Sequence, residues 1–263
     1  MNKFVENNAT WLSFYDMSVE RTKLQELIQF LQIDNTKRLL ILDVGCGNGR
    51  SVTWIRSLFP RSQITAIDID EDSINYANEH CSYNSVSYLC IDAFKYFKLS
   101  RTAQFDIVFF SWSLFDMVST YDQCNKEEKL VELIELAKES LHCNGHIIIT
   151  QPTKGGNFEK LLSLFMPGSD SDYFLTHYVL IKENFHGPDT PFPNRFATNT
   201  IWSNFICDHE QLYNGIESVL MLETGQQLNR STFNTLINKF CSKYCVKSDG
   251  LYKLSDCVSI YYF

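Results

Sequence analysis

Leu42 to Ser51 reads LDVGCGNGRS, with glycines at 45, 47 and 49 placed directly after the apolar run RLLILDV (38–44). A continuous apolar run of this length is the pattern of a strand buried on both faces of a parallel sheet. Three demands meet just after such a strand: a sharp turn, close approach of a ligand to the backbone, and a helix that starts tight against the sheet. Glycine meets all three because it has no Cβ. The spacing therefore predicts a strand, a ligand-binding turn and a helix over GRSVTWIRSLF (49–59).

The alternation continues outward from that turn. QITAIDI (63–69) leads into the helical EDSINYANEHC, and VSYLCID (86–92) into a short polar segment. FDIVFFS (105–111) leads into KEEKLVELIELAKESL (126–141), and GHIIITQ (145–151) supplies a fifth strand. Upstream, Val19, Leu24, Leu27, Ile28 and Leu31 recur at helical spacing and predict an amphipathic helix over about 18–33. Five apolar runs separated by helices make an α/β, doubly wound (Rossmann-like) sheet, because parallel neighbours need crossover connections. Two further strands are expected at IESVLML (216–222) and CVSIYYF (257–263), around the helical NRSTFNTLINKFCSKYC. Together these runs predict a seven-stranded, mostly parallel sheet with its last strand antiparallel.

Residues after Pro152 change character. Phe158, Phe165, Tyr173, Phe174, Tyr178, Phe185, Phe192, Phe196, Trp202 and Phe205 stand among Gly, Pro, Asn and Asp. That composition suggests an aromatic-rich insertion covering the carboxyl edge of the sheet, where open α/β sheets bind ligands. The expected organisation is one domain over 1–263, with a helical cap (1–35), a cofactor-binding core (36–152), a substrate-covering insertion (153–212) and C-terminal strands and helix (213–263).

Bulk properties narrow the partners. The 263 residues carry a net charge of -8, without a basic stripe of five or more residues, so no nucleic-acid partner is expected. The nine cysteines, at 46, 81, 90, 124, 143, 207, 241, 245 and 257, contain no CxxC pair. Neither a zinc site nor a disulfide framework follows, so reduced thiols, a cytoplasmic location and no metal are expected. The start, MNKFVENNATW, has no signal-like apolar run, and no window reaches the roughly 18 apolar residues of a membrane span, so no membrane partner is expected.

Asp43-x-Gly45-x-Gly47-x-Gly49 resembles the first motif of the class I S-adenosylmethionine-dependent methyltransferases, and the likeness recurs at later strand ends. The resemblance implies S-adenosyl-L-methionine as cofactor. It places Asp43, Gly45, Cys46, Gly47 and Gly49 around the methionine tail. Asp68, followed by Ile69, would accept from the ribose hydroxyls, and Asp92 from the adenine amino group, with Ala93 and Phe94 beside the ring. Ser111 and Trp112 fall at the active-site edge, after an FDxV entry that is similar to the family's fourth strand. A nicotinamide dinucleotide is the competing cofactor, since Asp68 lies near the expected distance of ~20 residues beyond the glycines. Against it stand the missing GxGxxG spacing and Asp43, whose charge repels phosphate.

The chemistry implied is in-line methyl transfer, for which the protein supplies alignment and a dry site. Methyltransferases acting on base amino groups carry a Pro-Pro-aromatic motif where this chain has Ser111-Trp112-Ser113-Leu114-Phe115, and a small-molecule substrate is expected instead. A weaker resemblance, through SVER, FDIV, TKGGNFEKLLSLF and LSDCVSIYYF, is to the histamine N-methyltransferase family. It implies Glu20 as acceptor for a substrate amine, with Tyr15, Trp112, Phe115 and Trp202 as cage aromatics. Trp112 departs from that family, which has glutamine there, and Asp256 only approximates its C-terminal Asn. No general base stands out, with His177 and Asp116 both open. The alternatives are a nucleic-acid or protein methyltransferase, or a non-catalytic cofactor-binding module.

Overall fold

Side chains alternate between the two faces of a strand, so five consecutive apolar runs need cover on both sides. The computed structural model describes residues 15–16, 18–100, 104–114, 117, 123–152, 157–165, 194–197, 202–224 and 227–262. These fall into two compact units. One comprises Lys23–Gln151 with the described parts of 179–197 and 260–263, and the other the described parts of 1–22, 152–178 and 198–259.

In the first unit, β2 (Leu40–Val44), β3 (Gln63–Asp68), β4 (Val86–Cys90), β5 (Phe105–Ser111) and β6 (Leu141–Pro152) lie in the order β6-β5-β2-β3-β4. Every neighbouring pair among these five is parallel. The chain winds outward from β2 to β4, then crosses back to place β5 on the other side of β2. The order reverses between β2 and β5, and such a switch point opens a crevice at the carboxyl ends of the strands.

One face of this sheet, with Leu42, Val44, Ile67, Val108, Phe110, Ile147 and Ile149, packs with α4 (Ala93–Leu99) and α5 (Gln123–Glu139) through Phe94, Phe97, Leu130, Leu133, Ile134 and Ala137. The residues of opposite parity, Ile41, Asp43 and Phe109, are also buried. On that side α2 (Arg50–Leu58) brings the Trp54 ring edge-on to Phe109, with centroids 5.4 Å apart, and Ser51 to Asp43. Each fully buried Leu, Ile or Phe contributes about 1.5–3 kcal/mol. α3 (Glu71–His80) starts at Asp70, whose carboxylate accepts from the Ser73 amide. The Lys23–Phe30 part of α1 (Ser18–Phe30) buries Leu24, Leu27 and Ile28, as their spacing predicts.

In the second unit, β1 (Tyr15–Asp16) pairs antiparallel with β8 (Trp202–Cys207), and β8 and β9 (Cys245–Ser248) with the early residues of β10 (Leu251–Tyr262). Its helices are α6 (Asn157–Phe165), α7 (His209–Thr224) and α8 (Arg230–Tyr244). Phe165 stacks on Phe233 and Tyr213 meets Phe233 edge-on, so the three helices share one aromatic core. The last residues of β10, Ile260 to Tyr262, belong to the first unit and pair antiparallel with β7 (Asn194–Ala197).

Two expectations are corrected. IESVLML lies inside α7, not in a strand. The signal for its start stands upstream, where the Asp208 carboxylate accepts from the Gln211 amide and the Gln211 side chain accepts from the Asp208 amide. This reciprocal cap fixes a helix, and burial of Leu212, Tyr213 and Ile216 then follows the helical period. The sheet also departs from seven strands: the described residues hold five parallel strands, and the pairs β1 with β8 and β7, β8 and β9 with β10 are antiparallel. β1, β7 and β9 are only two to four residues long, too short for an apolar run to signal them. β10 starts six residues before 257, at Leu251. The polar segment after β4 forms a helix, α4, because Asp92 caps it by accepting from the Lys95 amide.

Candidate functional site

The glycine turn lies at the carboxyl end of β2, beside the switch point. All three glycines have positive φ, of 74° at Gly45, 50° at Gly47 and 86° at Gly49, a region that side chains rarely adopt. Their surroundings differ. A Cβ on Gly45 would stand 2.4 Å from the Ser113 Cβ and 2.6 Å from the Met117 Cε. A Cβ on Gly49 would meet the Tyr88 hydroxyl at 3.0 Å and Ala77 and Cys81 at 3.1 Å. A Cβ on Gly47 would meet nothing within 4 Å. Gly45 and Gly49 are thus dictated by packing, whereas the face of Gly47 is open to a ligand.

Hydrogen bonds hold the turn from β3. The amides of Gly45 and Cys46 both donate to the Ile67 carbonyl, at 2.8 and 3.0 Å. The Gly47 amide donates to Asp68 Oδ2 at 2.7 Å, and Asp68 Oδ1 accepts from the Asp70 amide at 3.0 Å. Asp68 therefore has a structural task besides any toward a ligand. A carboxylate has about four lone-pair positions, so capacity for further donors remains on it. Burial raises the Asp68 carboxyl above the ordinary carboxylate range, opposed by these backbone donors.

Asp43 is fully buried, and Ser51 Oγ donates to its Oδ2 at 2.5 Å. Its Oδ1 has no hydrogen-bond partner. Burial pushes the Asp43 carboxyl up to about 7, with the Ser51 bond opposing and the Asp68 charge adding to the rise. Cys46 is also buried, and its thiol is pushed up by burial and by the two acids. Two acids converging on a glycine turn, one with an orphaned buried oxygen, suit a cationic or hydroxyl-donating ligand and oppose a phosphate.

The other expected residues fall as follows. Ile69 is 70% exposed at the end of β3, leaving an apolar surface next to Asp68. Asp92 caps α4 through Oδ1, at 2.8 Å from the Lys95 amide. Ala93 and Phe94 are buried in the core cluster, with Lys98 and Lys129 ammonium groups 5.9 and 5.6 Å from the Phe94 ring centre. Ser111 ends β5, where the Thr150 hydroxyl donates to its Oγ at 3.4 Å. Trp112 follows with φ 58°. The backbones of Tyr15, Glu20 and Trp202 lie in β1, α1 and β8, while their side chains, and that of Asp256, are outside the described residues. Phe115, Asp116, Phe174 and His177 lie outside them altogether.

Sequence reasoning assigned no role to Ser51, inside the quoted stretch, or to Ser113. Ser51 bonds to Asp43 within the same stretch, a pairing its spacing left unread, whereas Ser113 bonds to the Val44 carbonyl 69 residues away, a relation that no local pattern displays. Among the described residues no group of three or more His, Cys, Asp or Glu is arranged to hold a metal ion. Among them, too, no helix is long and apolar enough to cross a membrane.

A family model described as a methyltransferase domain matches residues 35–172, a little over half of the chain and the whole of the parallel sheet with its glycine turn. The chain belongs to this methyltransferase family. The resemblance carried by Asp43-x-Gly45-x-Gly47-x-Gly49 thus holds at family level, and the cofactor it implies is S-adenosylmethionine.

Curated relatives include malonyl-[acyl-carrier protein] O-methyltransferase of Acetivibrio thermocellus, 36% identical over 74 residues, which are 28% of this chain and 26% of that protein. The protein of the same name from Priestia megaterium is 28% identical over 109 residues, 41% of this chain and 38% of its own length. The chain thus spans well under half the length of these relatives. Among solved structures, a protein described as a type II methyltransferase from Anaeromyxobacter dehalogenans is similar with a TM-score of 0.52 at 11% identity. That match covers 90% of this chain and 94% of the other. The YcgJ protein of Bacillus subtilis gives a TM-score of 0.50 at 9% identity, covering 92% and 97%. At such identities the likeness shows the α/β fold alone.

Proposed function

We propose that the methyltransferase domain holds S-adenosylmethionine at the glycine turn and methylates a small molecule. The observation that carries this reading is the open face of Gly47 in a turn whose other glycines are closed by packing. Asp68 would accept from the ribose hydroxyls with the lone pairs that Gly47 and Asp70 leave. Ile69 would lie against the adenine, and Asp92 would accept from its amino group. The orphaned Oδ1 of Asp43 suits the positive charge of the methionine amino group. When bound, the cofactor supplies an electrophilic methyl group on a cationic sulfur. The chain's own task is to align a nucleophile with that methyl and exclude water.

Two substrate readings follow from different observations. The first is N-methylation of an amine, in which Glu20 would be the charged acceptor and Tyr15, Trp112, Phe115 and Trp202 would supply aromatic walls. It rests on the sequence resemblance to the histamine N-methyltransferase family and on the acidic net charge. The second is methylation of a carboxylate oxygen, favoured by the curated relatives' name, malonyl-[acyl-carrier protein] O-methyltransferase.

Radiolabel transfer from S-adenosylmethionine into a cell extract, sorted into small molecules, protein and nucleic acid, tests the proposal. Label in the small-molecule fraction that survives mild alkali is expected for N-methylation, and label released as methanol for a methyl ester. Label confined to nucleic acid would contradict the small-molecule reading. An extract with no label at all, beside tight cofactor binding, would support a non-catalytic module.

A further inference from the structure

Trp112 occupies an unusual place. It is a bulky residue at φ 58° immediately after β5, a conformation that costs of the order of 1–2 kcal/mol and persists only where surroundings impose it. Two anchors impose it here. The Trp112 amide donates to the Thr150 carbonyl of β6 at 2.9 Å. On the other side, the Ser113 hydroxyl donates to the Val44 carbonyl, the last residue of β2 before the glycine turn. Ser113 is buried, and the absence of a side chain on Gly45 is what lets it sit there. The Met117 amide donates to the Ser113 carbonyl at 3.3 Å. The segment after β5 is thus fastened to β6 by Trp112 and to β2 by Ser113, across the switch point.

We propose that Ser113 is a positioning residue for methyl transfer: it locks the segment carrying Trp112 onto the glycine turn, so that the substrate-side wall and the cofactor loop move as one body. The proposal rests on the cofactor reading above for its functional consequence, while the lock itself is a property of the ligand-free chain. The hydroxyl acts through Val44 and Gly45 and does not itself touch the reacting atoms.

Ser113→Ala removes the hydroxyl and adds no bulk, and ¹⁹F NMR of 5-fluorotryptophan-labelled protein reads the result. The sequence has four tryptophans, and comparison with Trp112→Phe assigns the Trp112 signal. In ligand-free S113A the Trp112 signal is expected to shift or broaden while that of Trp54, buried beneath α2, stays in place. The affinity for S-adenosylhomocysteine is expected to fall by about 3- to 10-fold, the equivalent of one lost net hydrogen bond. A Trp112 signal unchanged by S113A, or one that moves only together with that of Trp54, overturns the proposal.

Amide exchange on the unmodified protein provides a second measurement that does not depend on the variant folding. The Gly45 and Trp112 amides are expected to exchange with matching protection and to slow together when S-adenosylhomocysteine is added, as members of one cooperative unit. Unequal protection in the ligand-free protein overturns the lock. If the unmodified protein fails to bind S-adenosylhomocysteine, the cofactor reading falls, and the ligand-free signals still decide whether Ser113 positions Trp112.

Discussion

Asp43→Asn is expected to abolish a fall in stability that the unmodified protein suffers between about pH 4 and pH 8. The Asp43 carboxyl is fully buried and titrates at about 7 in the folded chain, against about 4 when unfolded. Below the unfolded value both states hold the proton and the folded state bears no penalty. As pH rises, the unfolded chain gives up its proton first, so stability falls, and the loss is complete once the folded group ionises above about 7. About three units correspond to ~4 kcal/mol over the whole window, and to about 2–3 kcal/mol between pH 5 and pH 8. Asparagine can still accept from Ser51 but carries no charge. Urea unfolding of both proteins at those two pH values should show the variant gaining by that amount relative to the unmodified chain as pH rises. Parallel pH profiles would mean that Asp43 is not held as a buried acid.

Gly45→Ala is expected to destabilise the fold by about 3–5 kcal/mol, from left-handed backbone strain and overpacking together. The added methyl would fall 2.4 Å from the Ser113 Cβ and 2.6 Å from the Met117 Cε, and the Ser113 contact is held by the bond to the Val44 carbonyl. Gly47→Ala is the matched control. Its methyl meets nothing within 4 Å, so it bears only the backbone term, about 1–2 kcal/mol. That variant should fold, yet lose affinity for S-adenosylhomocysteine by tenfold or more because the methyl fills the ligand's side of the turn. Urea midpoints separate the two: a Gly45→Ala protein as stable as Gly47→Ala would contradict the close packing of Ser113 and Met117 on Gly45. Full affinity in Gly47→Ala would move the ligand away from this turn.

The elements legible in sequence carry apolar residues at a regular period, whether covered on both faces or, as in β4, only partly buried. RLLILDV and FDIVFFS become central strands, covered on both faces, so apolar residues dominate them, each run holding a single acid, Asp43 or Asp106. IESVLML has the same composition but lies in a helix fixed by a cap eight residues upstream, at Asp208. The glycines were recognisable as a turn, but their three separate reasons were not. Gly45 answers to Ser113, and Gly49 to Tyr88, Ala77 and Cys81, side chains from other strands and helices that only the folded chain assembles. Asp68 carried the same ambiguity. Its place at a strand end was visible, whereas its bonds to the Gly47 and Asp70 amides show that it also builds the loop it was expected only to serve.

The glycine turn, with Asp68 beside it, is proposed as the site for S-adenosylmethionine. Calorimetric titration with S-adenosylhomocysteine tests it most directly. One site per chain is expected, with a dissociation constant below about 100 μM, equivalent to roughly -5.5 kcal/mol or better. Absence of binding heat at that concentration, at several temperatures, would contradict it.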